Sequence, residues 1–251
     1  MLISIIIPYF NDEKYISRSV NSALAQTYKN TEIIIIDSEY SKNSKKILKS
    51  ISAKSKKIKV ILNKKSIKFP GIGRNIGIKE AKGELIAFLD SDDYWKKNKL
   101  EFQLKEMKKK NSDVIFTGFE AKNEKNKFLY RVKSPAIIDF ELLLRSCPLC
   151  CSSVLIKKKC FKNKKFKDFK TKEDYDLWLN LSIDGYLISS TNQILTFYTV
   201  RKNSLSSFHI NKLTNAFKIY NYSLNFSFFY SIFCVFRLYS NAFIKKYLKN
   251  E

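Results

Sequence analysis

The chain has 251 residues and a formal net charge of +24, and 45% of its residues are hydrophobic. This length suits one large domain with ample core, and the hydrophobic fraction argues against wholesale disorder. An odd number of cysteines, five, and a single histidine, His209, argue against a disulfide framework and against a zinc site. We therefore expect reduced cysteines in a reducing compartment.

The excess of basic residues has two interpretations. It either attracts the phosphates of nucleotides, nucleic acid or anionic lipid, or it reflects the bias of a chain rich in Lys, Asn and Ile. Only six of the 47 basic residues are arginine, whereas nucleic-acid-binding proteins usually rely on arginine. Composition bias is favoured, although a positive field still suits a sugar nucleotide or an anionic membrane surface.

The first half of the chain alternates between strands and helices. Strands are predicted at 2–8, 31–37, 58–62, 84–90 and 113–119, and helices from 11 to about 26 and at 43–54, 72–82 and 96–110. Asn11 and Asp12 are expected to cap the first helix, and Gly83 to end the third. The strands are continuous runs of Ile, Leu, Val and Phe, as in strands covered on both faces. The sequence therefore predicts an α/β fold with a mostly parallel central sheet flanked by helices.

The second half is less regular. Helices are predicted at 137–146 and 171–185, strands at 152–157 and 193–201, and a basic loop with spaced aromatic residues at 159–170. Thr171 is expected to cap the helix that Gly185 closes.

From residue 208 onward the chain reads as an aromatic-rich helical tail. Its longest apolar stretch, 226–236, is shorter than a membrane span. The tail is expected either to cover the preceding domain as a core helix or to lie in a membrane interface. In the second case Lys245, Lys246 and Lys249 would meet the lipid headgroups.

Negative charge is concentrated where strands end. Asp90, Asp92 and Asp93 follow an apolar run, and Asp37 ends the second strand. Ligands of such sheets bind at the carboxyl ends of strands, so these acids fall where a crevice is expected. The cluster has three interpretations: a solvated turn, an acid–base pair, or a site that holds Mg²⁺ or Mn²⁺ against phosphate. In an extended chain Asp90 and Asp92 would point to the same side, which favours the metal site.

Four further segments occur in order and at suitable distances. They are "IIIPYFN" (5–11), "IIIIDS" (33–38), "PGIGRNIGIKEAKGELIAFLDSDD" (70–93) and "KEDYDLWLNL" (172–181). Together they resemble a family 2 glycosyltransferase with the GT-A fold, a Rossmann-like nucleotide-diphospho-sugar transferase, over roughly residues 1–200. The resemblance implies a nucleotide-sugar donor, a divalent metal (Mn²⁺ or Mg²⁺) and transfer with inversion.

The resemblance assigns the donor side residue by residue. Pro8 and Asp37 are expected to line the nucleoside pocket, and Arg74 to face the nucleotide. Asp90 and Asp92 would form the D-x-D pair, with Asp92 as the direct metal ligand. Such a cation stabilises the charge that develops on the departing diphosphate. For Arg74 the alternative is a structural ion pair with a neighbouring acid.

On the acceptor side the resemblance implies Asp174 as general base, with Glu173 beside it. A carboxylate that takes the proton of an acceptor hydroxyl raises the rate by roughly 10²–10⁴. Asp174 lies at a predicted helix N-terminus, where the dipole favours the anion, although a surface capping acid would look the same. One departure is Ser38, which stands where the family usually has a second acid, so Glu39 substitutes or the nucleotide preference differs.

Three other side chains are candidates. Trp95 and Trp178 could stack on a sugar, although the spacing of Trp178 with neighbouring leucines favours a core position. His209 could complete the metal site.

These assignments divide the chain into a GT-A domain, 1–205, and a helical tail, 206–251. The domain would consist of a nucleotide-binding half, 1–118, and an acceptor half, 119–205. The expected function is addition of a sugar to a growing surface glycan such as lipopolysaccharide, capsule or exopolysaccharide, on a glycan or lipid-linked acceptor. Because the N-terminal run reads as a strand and not as a signal peptide, we expect a cytoplasmic protein, with the tail as a peripheral contact on the inner face of the membrane.

Three alternatives stay open, one of which is a degenerate transferase that only binds, given Ser38. A sugar nucleotidyltransferase shares the donor and the metal but would need a Gly-rich basic loop after the first strand, which "PYFNDEKY" does not provide. A basic nucleic-acid-binding protein without transferase activity would bind generic DNA or RNA in a salt-dependent way. No nucleic-acid partner is expected.

Overall fold

The computed structural model describes residues 1–63, 69–135, 138–201 and 209–247, apart from the side chains of 209–211, 243 and 245–247. Four parallel strands form one side of the sheet: β1 (Ile3–Tyr9), β2 (Thr31–Asp37), β3 (Ile58–Leu62) and β4 (Leu85–Phe88). The helices of this half are α1 (Ile16–Leu24), α2 (Lys42–Ser52), α3 (Pro70–Glu80) and α4 (Lys99–Lys109). All four strands are confirmed, because runs of apolar residues covered on both faces are a strong signal.

The second half extends the same sheet. It contributes β5 (Tyr94–Trp95), β6 (Val114–Asn123), β7 (Phe128–Val132), β8 (Val154–Lys157) and β9 (Ile188–Val200). The strand order is β3-β2-β1-β4-β8-β6-β9-β5, and β7 pairs with β6. Strand β8 is antiparallel to both neighbours, whereas the longest ladders, β1 with β2 and β6 with β9, are parallel. The predicted α/β fold with a mostly parallel sheet is thus confirmed, although the short β5 and the hairpin strand β7 were not predicted.

Four helices follow in this half: α5 (Phe140–Arg145), α6 (Glu173–Ile183), α7 (His209–Lys218) and α8 (Phe228–Tyr247). A π-helical turn, Ile219–Ser223, lies between α7 and α8. The predicted helical tail is therefore present in the described part of 206–251.

Each face of the sheet carries its own core, because side chains of a strand alternate between faces. On one face Ile6, Ile34 and Phe88 pack with α6 and the tail, and Trp178 of α6 is fully buried there, as expected. On the other face helices α1, α2 and α4 cover the sheet. Trp95 is buried in this second core, and its Nε1 donates to Ser152 O at 2.7 Å. The suggestion that Trp95 stacks on a sugar is therefore wrong.

Two predicted helix ends differ in the first half. Helix α1 begins at Ile16, and the Asp12 side chain binds Ser91 and Arg201 instead of capping it. Helix α3 ends at Glu80, and Gly83 is not its terminal glycine. A Cβ at Gly83 would lie 2.7 Å from the Leu2 carbonyl oxygen, so this glycine permits a close approach of β1.

At α6 the predicted cap is also wrong. Lys172, with φ of 65°, precedes the helix, and Thr171 does not cap it. Gly185, with φ of 80°, ends this helix as predicted.

The tail both covers a core and exposes aromatic side chains. Tyr220 and Cys234 are buried against α6 and the sheet, whereas Phe229 and Phe236 of α8 are 82% and 71% exposed. Over the residues described, none of the helices is both long enough and apolar enough to cross a membrane. The side chains of Lys245, Lys246 and Lys249, expected at headgroups, lie outside the described residues.

Candidate active site

The acids after β4 lie in a turn. The Asp93 amide donates to Asp90 O at 3.0 Å, so residues 90–93 are not extended, and the expectation that Asp90 and Asp92 share one side of an extended chain is wrong. Asp93 is fully buried; its carboxylate accepts from Ser152 Oγ at 2.6 Å and from Thr199 N at 2.8 Å. Burial raises the pKa of Asp93. Asp93 therefore ties the turn to the segment just before β8 and to the end of β9.

Asp92 belongs to a charge cluster that was not predicted. Its Oδ2 lies 2.7 Å from Arg201 Nε, and Arg201 Nη1 donates to Asp12 Oδ1 at 2.5 Å. Arg18 donates to the Asp92 carbonyl oxygen at 2.7 Å. Asp12 and Arg201 are 189 positions apart, so no local pattern could join them. The sequence offered one signal for this cluster: arginine is scarce in this lysine-rich chain, so each arginine is a candidate for a specific ion pair.

Arg74 joins the two sides of the site. Its Nη2 donates to Asp90 Oδ1 and its Nη1 to Glu173 Oε1, both at 2.6 Å, and its side chain is 3% exposed. The ring of Phe166 lies 5.4 Å from the guanidinium carbon. The structural interpretation, an ion pair with a neighbouring acid, is thus what the structure contains. A contact of Arg74 with the nucleotide stays a prediction.

Glu173 and Asp174 occupy the first turn of α6. Burial raises the pKa of Glu173 to about 7, against the opposing effect of the Arg74 charge. Burial also raises the pKa of Asp174, while Arg74 and the Tyr175 amide, which donates to Asp174 Oδ1 at 2.8 Å, lower it. Glu173 is almost fully buried and engaged by Arg74, whereas Asp174 is partly exposed. Asp174 is therefore the more accessible acid of this pair.

The predicted nucleoside pocket lies at the ends of β1 and β2. Asp37 is fully buried and accepts hydrogen bonds from Glu39 N, Tyr40 N and Ser44 Oγ, which order the loop into α2. Pro8 and Ser38 face Gly73 of α3, where a Cβ would lie 3.5 Å from Pro8 and 3.2 Å from the Ser38 hydroxyl. That hydroxyl is buried and has no partner among the described residues. The departure at Ser38 thus leaves a polar atom able to bind a ligand.

The side chains available as metal ligands limit which metal ion could bind. Among the residues described, no group of three or more His, Cys, Asp or Glu side chains is placed to hold a metal ion. Asp90 and Asp92 therefore supply two carboxylates at most. This fits Mg²⁺ or Mn²⁺, which proteins hold through one or two carboxylates together with substrate phosphates. The side chain of His209, the suggested extra ligand, lies outside the described residues.

The raised pKa values predict a pH dependence of stability. The pKa of Asp92 and that of Glu173 are about 7, above their ordinary values of 3.8 and 4.5. Between about pH 5 and 7 the folded protein then binds more protons than the unfolded chain. The free energy of unfolding should therefore fall as pH rises through this window, by up to about 1.4 kcal/mol per pH unit for each group.

Urea denaturation at pH 5, 6 and 7 with EDTA checks this prediction. In Glu173→Gln the free energy of unfolding should fall less steeply with pH than in the wild type. Asp113→Asn serves as control because the Asp113 pKa is lowered, by hydrogen bonds from Lys159, Leu187 and Lys157 that outweigh its burial, so it stays ionised throughout. Equal slopes in wild type and Glu173→Gln would contradict the assignment.

Comparison with known proteins identifies the family. The model "Glycosyl transferase family 2" matches residues 4–174. The Escherichia coli protein UDP-Glc:alpha-D-GlcNAc-diphosphoundecaprenol beta-1,3-glucosyltransferase WfaP is 36% identical over 97% of this chain and 95% of its own.

Two solved structures share the fold. Residues 1–349 of S. aureus TarS, in complex with UDP-GlcNAc, align with a TM-score of 0.76 at 20% identity over 100% of this chain and 76% of that one. The mannosyltransferase PcManGT of Pyrobaculum calidifontis, in complex with GDP-Man and Mn²⁺, aligns with a TM-score of 0.69 at 11% identity over 96% and 72%. The chain therefore belongs to glycosyl transferase family 2 and is a glycosyltransferase with the GT-A fold.

Proposed function

We propose that this glycosyltransferase is metal-dependent and inverting, and that it moves a sugar from a nucleotide-sugar donor to a lipid-linked glycan acceptor. One observation carries the proposal: Arg74 brings Asp90, at the end of β4, and Glu173, at the start of α6, onto one guanidinium. The D-x-D acid and the acids of α6 thereby become neighbours, and the charge of Asp90 adds to burial in raising the pKa of Asp174.

The donor would bind at the carboxyl ends of β1, β2 and β4. Pro8, Asp37 and the unpartnered Ser38 hydroxyl supply the walls for the nucleoside. Asp90 and Asp92 would hold the divalent cation, which when bound supplies Lewis-acid stabilisation of the leaving diphosphate. Arg201, paired with Asp92, adds positive charge beside that diphosphate. UDP-GlcNAc in the TarS complex and UDP-Glc in the name of WfaP support a UDP-sugar as donor.

Asp174 would take the proton of the acceptor hydroxyl. Its position in the first turn of α6 and the nearby Arg74 favour the carboxylate, against the burial that raises its pKa. A hydroxyl activated on the α6 side attacks the sugar from the face opposite the diphosphate held at β4. A single displacement of this kind inverts the anomeric carbon.

The acceptor assignment rests on the relative and on the tail. WfaP is named for transfer to alpha-D-GlcNAc-diphosphoundecaprenol, a lipid-linked sugar. Helix α8 exposes Phe228, Phe229, Phe233 and Phe236, which support a peripheral contact with the membrane that holds such an acceptor.

A panel of nucleotide sugars tests the donor and metal assignments by thermal shift with and without Mn²⁺. One donor should stabilise the protein only with Mn²⁺, by about 2.7 kcal/mol at a hundredfold excess over its Kd. Asp92→Asn should lose the Mn²⁺-dependent part, because it removes a ligand of the cation. Asp113→Asn, far from the turn, should keep it. An unchanged Mn²⁺ response in Asp92→Asn would refute the metal role.

Transfer to a synthetic GlcNAc-diphospholipid tests the base. Asp174→Asn should lower kcat by 10²–10⁴ while leaving the affinity for UDP unchanged, because only the proton acceptor is lost. The control Asp184→Asn, at the other end of α6, should keep normal turnover. Near-normal kcat in Asp174→Asn would remove its assignment as base.

A further inference from the structure

The start of α6 is packed directly against α7 of the tail. Asn215 Nδ2 of α7 donates to both Thr171 O and Thr171 Oγ1, at 3.1 Å each. Lys212 lies three positions before Asn215, hence on the same side of α7. Lys172, next to Thr171, has a left-handed backbone with φ of 65°, which is uncommon for a lysine.

Two lysines therefore converge beside the predicted base. Neither Lys172 nor Lys212 forms a salt bridge with any residue that the structure describes, although both are partly buried. Burial and then the charge of Lys172 lower the pKa of Lys212, so Lys212 lies within reach of the Lys172 charge. Lys172 has the charge of Asp174 near it, whereas an anion that binds between the two ammonium groups would stabilise both of them in this partly buried place.

An apolar groove lies beside Lys172. It lies between α7 and α8, has a volume of about 890 Å³, and is lined mainly by Leu213, Phe217, Tyr222, Ile232, Phe236 and Tyr239. The Lys172 ammonium lies 5.5 Å from the Tyr239 ring centre, and Leu213 directly follows Lys212. The volume falls in the range of about 300–1,000 Å³ typical of small-molecule sites. The groove thus has an apolar body along the tail, with Lys172 close to its Tyr239 wall and Lys218 among its lining residues.

We propose that this groove is the acceptor site for a polyprenyl diphosphate that carries the sugar to be extended. Lys172 and Lys212 would bind the diphosphate, and the groove would hold the first isoprene units. The acceptor sugar would then reach from the diphosphate to Asp174, whose charge already acts on Lys172. The rest of the polyprenyl chain would continue over the exposed aromatic side chains of α8. This assignment rests on the proposed function and adds how the acceptor is recognised.

The combination of two lysines with an apolar groove favours a polyprenyl diphosphate as the ligand. A nucleotide would place its ribose and the polar edges of its base against mainly apolar walls, and a free hydrocarbon would offer neither lysine an anion. A polyprenyl diphosphate satisfies both ends at once, because the pyrophosphate is anionic and the chain is fully apolar.

Farnesyl diphosphate, a short soluble probe, tests the site by isothermal titration calorimetry. The titration is made with Mn²⁺ and saturating UDP, so that the donor site is filled. Farnesyl diphosphate should bind the full chain, whereas farnesol and inorganic pyrophosphate should each bind at least tenfold more weakly. Equal binding of pyrophosphate, or loss of the farnesyl diphosphate signal when UDP is present, would overturn the proposal.

Three variants locate the binding. Lys172→Asn keeps a residue that tolerates the left-handed backbone and removes the charge, and Lys212→Gln removes the second charge. Each should weaken farnesyl diphosphate at least tenfold without changing UDP affinity. Phe236→Asn, at an exposed position, should weaken farnesyl diphosphate but not pyrophosphate. Lys165→Gln, an exposed lysine of the 159–170 loop, is the matched control and should bind like wild type.

The outcomes separate this proposal from the proposed function. Unaltered farnesyl diphosphate binding in both lysine variants would refute the acceptor site, even where UDP still binds with Mn²⁺. Competition by phosphatidylglycerol vesicles that is lost in Lys172→Asn would show that the pair binds lipid headgroups instead, and would refute it too. If no nucleotide sugar stabilises the protein with Mn²⁺ in the thermal-shift panel, that result would count against the proposed function alone.

Discussion

The buried Arg74 is the interaction on which the site depends. Its two hydrogen-bonded ion pairs, each of 2.6 Å, fix the acid turn after β4 and the first turn of α6 at one distance from each other. Residues 99 positions apart in sequence are thereby joined in the core. Breaking a buried pair by removing one partner typically costs about 3–5 kcal/mol, because a buried charge is left without compensation. The geometry of the acids is thus tied to the stability of the fold.

The few arginines of this lysine-rich chain are concentrated where geometry matters. Arg18, Arg74 and Arg201 are half of all its arginines, and all three contact the acid turn. A planar guanidinium can bind two acceptors in fixed directions and stays charged when buried, which a flexible ammonium does less well. The lysines, in contrast, lie mostly on the surface. The net charge of +24 therefore says little about the site, whereas the position of each arginine says much.

Much of the fold could be predicted from the sequence, but less of the site. Strands β1 to β4 follow from apolar runs, and the candidate acids Asp90, Asp92 and Asp174 follow from segments that resemble the family. The turn at 90–93 was missed because alternation was assumed to continue past the strand. The ion pair of Asp12 with Arg201 was missed because the two residues are 189 positions apart in the sequence. Such contacts depend on the tertiary fold, and no local pattern encodes them.

Arg74 also explains why two acids with different burial can share one helix turn. Glu173 is held by the guanidinium, and the neighbouring Asp174 is left partly exposed, with the charge of Lys172 near it. In the proposed function, the donor and the acceptor would then lie on the two sides of a single buried cation. A double-mutant cycle of Arg74→Met and Glu173→Gln, read as free energies of unfolding at pH 8 without metal, measures this coupling most directly. The double variant should be more stable than the sum of the single changes predicts by at least about 1 kcal/mol, and additivity within about 0.5 kcal/mol would contradict the account.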